Sequence, residues 1–374
     1  MELDQDTEAA LAACTGAEEF ARVAAERGIA LTPEQRAHAA RPDPAGALFF
    51  MPFAANTKAW PSAAWLPVYL TTGPEPMVDW AYVATPGPLL DRLALRRAME
   101  RPFNRVFRKR MRLDDFIDGA GQGRAPAGLI FHTGRCGSTL AARMSALVPD
   151  VRVLSELPVV SHALALAATA PDLAGPRGAA LLRAMISAYG GRQPAPRLIV
   201  RFEAHNALVL ALAARAFAGT PVAFLFRDPV EVLVSYQGDG GIAAAISGNY
   251  AALWDGGELA AWSSEDLPLL VLTRICERAV SFLSEHRGLT VNYRDMPGAV
   301  TQTILPYFGI VADDAAREAM RAIARTNAKI DGVPFAEDAA RKHAQAGAGL
   351  RARAQEHLGP AYRALEALAA RTAL

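Results

Sequence analysis

Residues 130–144, IFHTGRCGSTLAARM, join a short apolar run ending at Thr133 to a turn of small residues and then to a helical pattern. A strand that runs through a tight turn into a helix builds an anion site. Successive backbone N–H groups converge in the turn, and the positive end of the helix dipole lies behind them. Gly134 and Gly137 permit the turn, Ser138 and Thr139 offer hydroxyls, and Arg135 supplies a fixed positive charge. The loop departs from the triphosphate pattern G-x-x-x-x-G-K-[ST], because Ser138 stands where the lysine belongs and His132 where the first glycine belongs. Handling of a γ-phosphate is therefore weakly supported, and a kinase or triphosphatase on a degenerate loop is kept as an alternative.

Cys136 raises the question of thiol chemistry, since a helix N-terminus can lower a thiol pKa. Cysteine phosphatases require an arginine at the spacing C-x5-R. Here Ala142 occupies that position and Arg143 comes one residue late, so Cys136 reads as a small residue that fits a turn. A second anion site is predicted at 224–237, FLFRDPVEVLVSYQ, where Arg227 ends a strand and Pro229 is placed to begin a helix. Ser235, eight residues after Arg227, is predicted to face the same cleft.

These residues need a scaffold, and the pattern describes one. GLIFHT (128–133), DVRVLS (150–155), RLIVRF (197–202), PVAFLF (221–226) and LTVNYRD (289–295) read as strands. Helical segments follow them, among them about 138–147 and 297–308, and the tail 335–374 also reads as helical. This alternation predicts an α/β protein with a mostly parallel sheet covered on both faces. Residues 1–40 read as helical, and 41–86 as short strands and loops broken by prolines. The stretch 87–103 reads as a helix ended by Pro102, and DGAGQGRAPAG (118–128) as a linker. The expected division is an N-terminal accessory region over 1–120 and an α/β domain over 121–374.

Composition narrows the class. A 374-residue chain that is 52% hydrophobic and 21% charged, with mean hydropathy +0.12, reads as a soluble globular protein. The net charge of +1 argues against nucleic-acid binding through bulk charge. Cys14, Cys136 and Cys276 are too widely spaced for a disulfide framework or zinc cage, and no His/Asp/Glu cluster has metal-ligand spacing, so no metal is expected. The acidic N-terminus lacks signal-peptide order and no apolar run is long enough to span a bilayer, which predicts a cytoplasmic location. Oligomeric state is not readable.

Taken together, TGRCGSTL and FLFRDPVEVLVS resemble the sulfotransferases that use 3′-phosphoadenosine 5′-phosphosulfate (PAPS), over roughly residues 128–310. The resemblance implies a three-layer α/β/α fold of P-loop type with PAPS as co-substrate. Arg135, Cys136, Gly137, Ser138 and Thr139 would then cradle the 5′-phosphosulfate, while Arg227 and Ser235 would bind the 3′-phosphate. The segment 289–310 is similar to the late strand and helix of that family, which puts Tyr293 beside the nucleotide or in the core. In the tail RKHAQAGAG (341–349), Arg341 and Lys342 match two positions of an Arg-Lys-Gly segment that closes over the 3′-phosphate. His343 replaces its glycine, and the segment otherwise reads as a solvated helix face.

An arginine in the first loop is similar to the protein-tyrosine sulfotransferase branch, whose base is a glutamate. ALVPDVRVLSELPVV (146–160) resembles the segment carrying it, and Glu156 falls 21 residues after Arg135 at the matching position. Glu156 would serve as general base if desolvation raised its pKa. His132, His162 and His205 are rivals, with His132 equally readable as a core histidine on its strand. The expected activity is sulfuryl transfer from PAPS to a small-molecule or peptide hydroxyl by in-line displacement. A non-catalytic nucleotide-binding scaffold is the further alternative. The acceptor is not legible in the sequence.

Overall fold

The computed structural model describes residues 3–41, 54–84, 87–121, 125–190, 197–237, 245–326, 333–334 and 336–372. The chain forms two compact units, one of residues 1–124 with 183–195, the other of 125–182 with 196–374. Most of the proline-rich stretch near residue 45 and part of the linker at 118–128 lie outside the described residues.

The first unit begins with helices Gln5–Ala13, Ala17–Glu26 and Pro33–Ala40. Its mixed sheet takes strands β1 (Ala54–Asn56), β2 (Trp65–Leu70), β3 (Met77–Tyr82) and β5 (Arg108–Arg112) in the order β1-β5-β3-β2. Trp65, Trp80, Phe103 and Phe116 fill its core. Within that core, Asp79 is fully buried and receives Arg110 through two hydrogen bonds of 2.6 and 3.0 Å. A buried carboxylate is tolerated there because a bidentate guanidinium satisfies it.

The stretch expected as one helix over 87–103 divides in three. A short strand β4 (Leu89–Asp91) leads into the helix Arg92–Met99, and Pro102 begins the helix Pro102–Val106. Asp91 sets the first boundary by accepting the Ala94 N–H at 2.8 Å, a side-chain cap that pattern reading passed over. Pro102 lies at the first turn of its helix, where its missing N–H leaves no bond unmade.

The second unit is built on an all-parallel sheet of strands β6 (Gly128–His132), β7 (Val151–Ser155), β8 (Arg197–Arg201), β9 (Val222–Phe226) and β10 (Leu289–Asn292). All five were expected, within a residue or a few at each end. They run in the order β10-β9-β6-β8-β7, and every pairing among them is parallel. Helices flank the sheet, and β6, β9 and most of β8 are buried throughout, as strands covered on both faces must be. The helix expected at 297–308 has wide π turns over Val300–Ile304 ahead of Leu305–Tyr307, where Pro306 has no N–H to donate. The tail forms helices Ala339–Gln345, Ala348–His357 and Gly359–Thr372.

Candidate functional site

The order of the strands brings the expected residues to one edge. From β6 the chain moves outward to β7, returns through β8, then crosses to the other side of β6 for β9 and β10. β6 therefore has β8 on one flank and β9 on the other, and the loops leaving β6 and β9 diverge. A crevice at such a switch point, beyond the carboxyl ends of the strands, is where open α/β sheets bind ligands. At or just past those ends stand Glu156 (β7), Arg201 (β8), His132 and Arg135 (β6), Arg227 (β9) and Tyr293 (β10).

The loop after β6 winds through left-handed backbone at Gly134 (φ 78°), Arg135 (φ 55°) and Gly137 (φ 79°) before the helix Ser138–Ser145. Arg135 carries this conformation without glycine's freedom, a strain characteristic of ligand loops. Its guanidinium lies 5.6 Å from the centre of the Tyr236 ring. A Cβ on Gly134 would fall 2.0 Å from the Tyr236 hydroxyl oxygen, so Gly134→Ala should cost about 2 kcal/mol or more in a denaturant titration. An unchanged midpoint would show that the loop can relax. Cys136 is fully buried and burial pushes its thiol up, so it stays protonated and packs, as its spacing indicated. Ser138 is buried and Thr139 half-buried at the start of the helix.

Glu156 also adopts left-handed backbone (φ 51°), and its N–H extends the parallel ladder to the Arg201 carbonyl at 2.9 Å. Its carboxylate pairs with Arg201 and faces His132 Nε2 at 3.4 Å. Arg201 is buried, donates to the Ser155 hydroxyl at 2.7 Å, and keeps a buried Nε with no partner among the described residues. Nδ1 of His132 accepts the Gly134 N–H at 2.9 Å, which leaves its proton on Nε2, toward Glu156. Burial pushes the His132 pKa down from its ordinary value. His132 thus stands between the loop backbone and the carboxylate, with Nε2 near Glu156 but short of a hydrogen bond to it, and its one lone pair is taken by the Gly134 N–H. His205 is no better placed, because burial pushes it down to about 4 and it faces Glu203 at 3.1 Å.

The condition for Glu156 as a general base, a pKa raised by desolvation, is not met. Burial alone would raise it, but the Arg201 charge, with the polar contacts of His132 and Arg201, outweighs burial and holds the group down to about 2 from an ordinary 4.5. A depressed carboxylate stabilises the fold above its unfolded pKa and loses that contribution as pH falls through its folded one. Stability attributable to Glu156 should therefore be complete above about pH 4.5 and vanish toward about pH 2. The side chain is 38% exposed, so water screens part of this effect. Denaturation of Glu156→Gln across that window should lack this component, and identical acid limbs would rule it out.

Arg227 is held from four directions. Its Nε donates to Glu231 at 2.6 Å, one terminal nitrogen donates to Asp338 at 2.6 Å, and the other reaches the Arg135 carbonyl at 3.3 Å. Its flat face lies 3.9 Å from the centre of the Tyr293 ring. Tyr293 also packs on the first loop, since a Cβ on Gly137 would meet its ring at 3.2 Å. The two predicted anion sites are thus one continuous structure. Lys342 is buried with its ammonium 2.8 Å from Asp338, which corrects the picture of a solvated helix face. Arg341 stays exposed, 3.8 Å from the same carboxylate. The Ser235 hydroxyl donates to the Glu231 carbonyl at 2.8 Å within its own helix, Pro229–Tyr236.

Asp228, Glu231 and His343 bring three possible ligand atoms within 4.8 Å of one another. Asp228 caps the helix at Val230 and Glu231, while Glu231 is committed to Arg227. The adjacent guanidinium opposes a cation there.

Sequence reading missed Arg201, Tyr236, Glu231 and Asp338. Arg201 carried a usable signal, an arginine at the carboxyl end of a predicted strand, as at Arg227. Asp338 carried none, because its approach depends on the path of the tail. No protein-family model matches the chain, and no curated protein sequence matches it. Among the described residues, no helix is long and apolar enough to cross a membrane.

Proposed function

We propose that the protein is a PAPS-dependent sulfotransferase acting on a hydroxyl of a small molecule or peptide. The observation that carries this is the union of Arg227, through the Arg135 carbonyl, with the left-handed loop after β6 at the carboxyl edge of a parallel sheet. The donor set suits a nucleotide with two anionic ends. Arg227, Lys342 and Arg341 already surround one carboxylate, that of Asp338, which stands in for a phosphate monoester. After the neighbouring strand β6, the Arg135 loop and the start of Ser138–Ser145 offer a second anion site.

PAPS would supply an activated sulfuryl group on a good leaving phosphate. Arg135 and the loop amides would bind that end and stabilise charge growing on the leaving oxygen. Arg227 and Lys342 would hold the 3′-phosphate, with Tyr293 stacked to keep the guanidinium in place. Glu156 would accept the hydrogen bond of the acceptor hydroxyl and fix its lone pair in line. Its low pKa makes it a weak base yet keeps it ionised at every physiological pH. That suffices if, as in phosphoryl transfer, the transition state is loose: the acceptor proton then passes to Glu156 late, once bonding to sulfur has made the hydroxyl strongly acidic. Arg201 would keep the carboxylate charged and oriented.

The experiment is a turnover assay with PAPS and a panel of phenols, alcohols and tyrosine peptides, following release of 3′,5′-adenosine bisphosphate. Turnover that survives chelation and fails on Arg135→Ala is expected. Strictly magnesium-dependent ATP turnover instead would favour a kinase or triphosphatase.

A further inference from the structure

Asp338 precedes the helix Ala339–Gln345 at the position where an aspartate ordinarily caps, yet its carboxylate makes no cap bond. Both of its oxygens are spent on cations instead: Oδ1 on Arg227 at 2.6 Å, and Oδ2 on Lys342 at 2.8 Å with Arg341 at 3.8 Å. We propose that Asp338 is an internal counter-anion of the Arg227 site, a competitor that a ligand's phosphate must displace. This rests on the assignment of Arg227 to a nucleotide phosphate made above.

The two carboxylates on Arg227 are not equivalent. Glu231 comes from the next turn of the same helix with a side chain only 10% exposed, and it is a permanent part of the site. Asp338 arrives from 111 residues away and is 27% exposed, at the rim. Of the two, the rim carboxylate is the one that can leave without unfolding the helix Pro229–Tyr236.

Charge balance points the same way. The groups paired directly on Arg227 and Asp338 are Arg227, Lys342 and Arg341 against Glu231 and Asp338, an excess of one positive charge, with Asp228 and His343 beyond Glu231 outside these pairs. A phosphate monoester, carrying close to two negative charges at neutral pH, brings the sum near zero when it replaces Asp338. If Asp338 stayed, the same phosphate would be added beside an unreleased carboxylate. Lys342 and Arg341 lie on the helix that Asp338 precedes, so they remain at hand when the carboxylate swings out. The exchange makes the site selective. A nucleotide without a 3′-phosphate leaves Asp338 where it is, whereas one that carries the phosphate must displace it.

Calorimetric titration of wild type, Asp338→Asn and Asp338→Glu with 3′,5′-adenosine bisphosphate and with AMP tests this. Asparagine keeps the shape and removes the charge. It should tighten bisphosphate binding about tenfold and leave AMP within about twofold, with the gain shrinking as salt rises. Asp338→Glu keeps the charge and should show no gain. Unchanged or weaker bisphosphate binding in Asp338→Asn would mean that the carboxylate organises the cations, and it would overturn the inference. Equal gains for both nucleotides would also overturn it, as a general effect of charge. Failure of every protein to bind the bisphosphate would instead remove the PAPS assignment, and this inference with it.

Discussion

Replacing Arg227 by alanine is expected to abolish binding of 3′,5′-adenosine bisphosphate, a loss of about a hundredfold or more, and to destabilise the protein by about 3 kcal/mol. The affinity loss follows from removing the cation that joins the proposed phosphate subsite to the first loop. The stability loss has a separate cause. Arg227 is 5% exposed and Glu231 10%, so truncation strands a buried carboxylate without its partner. The Tyr293 ring also loses the cation stacked on it. The two effects can be separated with the double variant Arg227→Gln, Glu231→Gln, which leaves no stranded charge. It should recover most of the stability in a denaturant titration and still fail to bind. Recovery of binding would show that the single variant failed through misfolding.

Glu156→Gln is expected to lower sulfuryl transfer by about a hundredfold to ten-thousandfold while bisphosphate affinity stays within about threefold. Glutamine can still accept a hydrogen bond from Arg201, so the nucleotide side of the site should hold its geometry. What disappears is the negative charge that draws the acceptor hydroxyl into line. Because Glu156 is held down to about 2, wild-type activity should show no acid limb from this group above about pH 4. A limb near pH 6 that vanishes in the variant would mean that bound substrate lifts the carboxylate out of the Arg201 pair. Unchanged transfer in Glu156→Gln would remove Glu156 from the chemistry. The assay is single-turnover release of the bisphosphate with any acceptor that supports it.

The strands of the second unit were legible because a buried parallel strand is a short apolar run, and Leu129–Phe131 or Val222–Phe226 have few other solutions. The left-handed loop was legible through Gly134 and Gly137, whose spacing serves a turn and little else. The joining of the two loops into one structure was not legible. It depends on β9 lying next to β6, and on Tyr293 coming from β10 to touch both the Gly137 loop and Arg227. Glu156 was singled out by position, but the lowering of its pKa was not legible in the sequence. The reason is Arg201, which the sequence places 45 residues away and the β7–β8 register sets beside it. The helix boundaries at Asp91 and Pro102 were missed because both are set by one or two backbone donors, to which apolar periodicity is blind.

The central claim is that this site holds a nucleotide carrying both a 3′-phosphate and an anionic 5′ end. Calorimetry of the unmodified protein with 3′,5′-adenosine bisphosphate, ATP and AMP, with and without magnesium, tests it most directly. The account predicts that the bisphosphate binds tightest of the three and binds equally well without the metal. Preference for ATP with magnesium, or no binding of the bisphosphate, would contradict it.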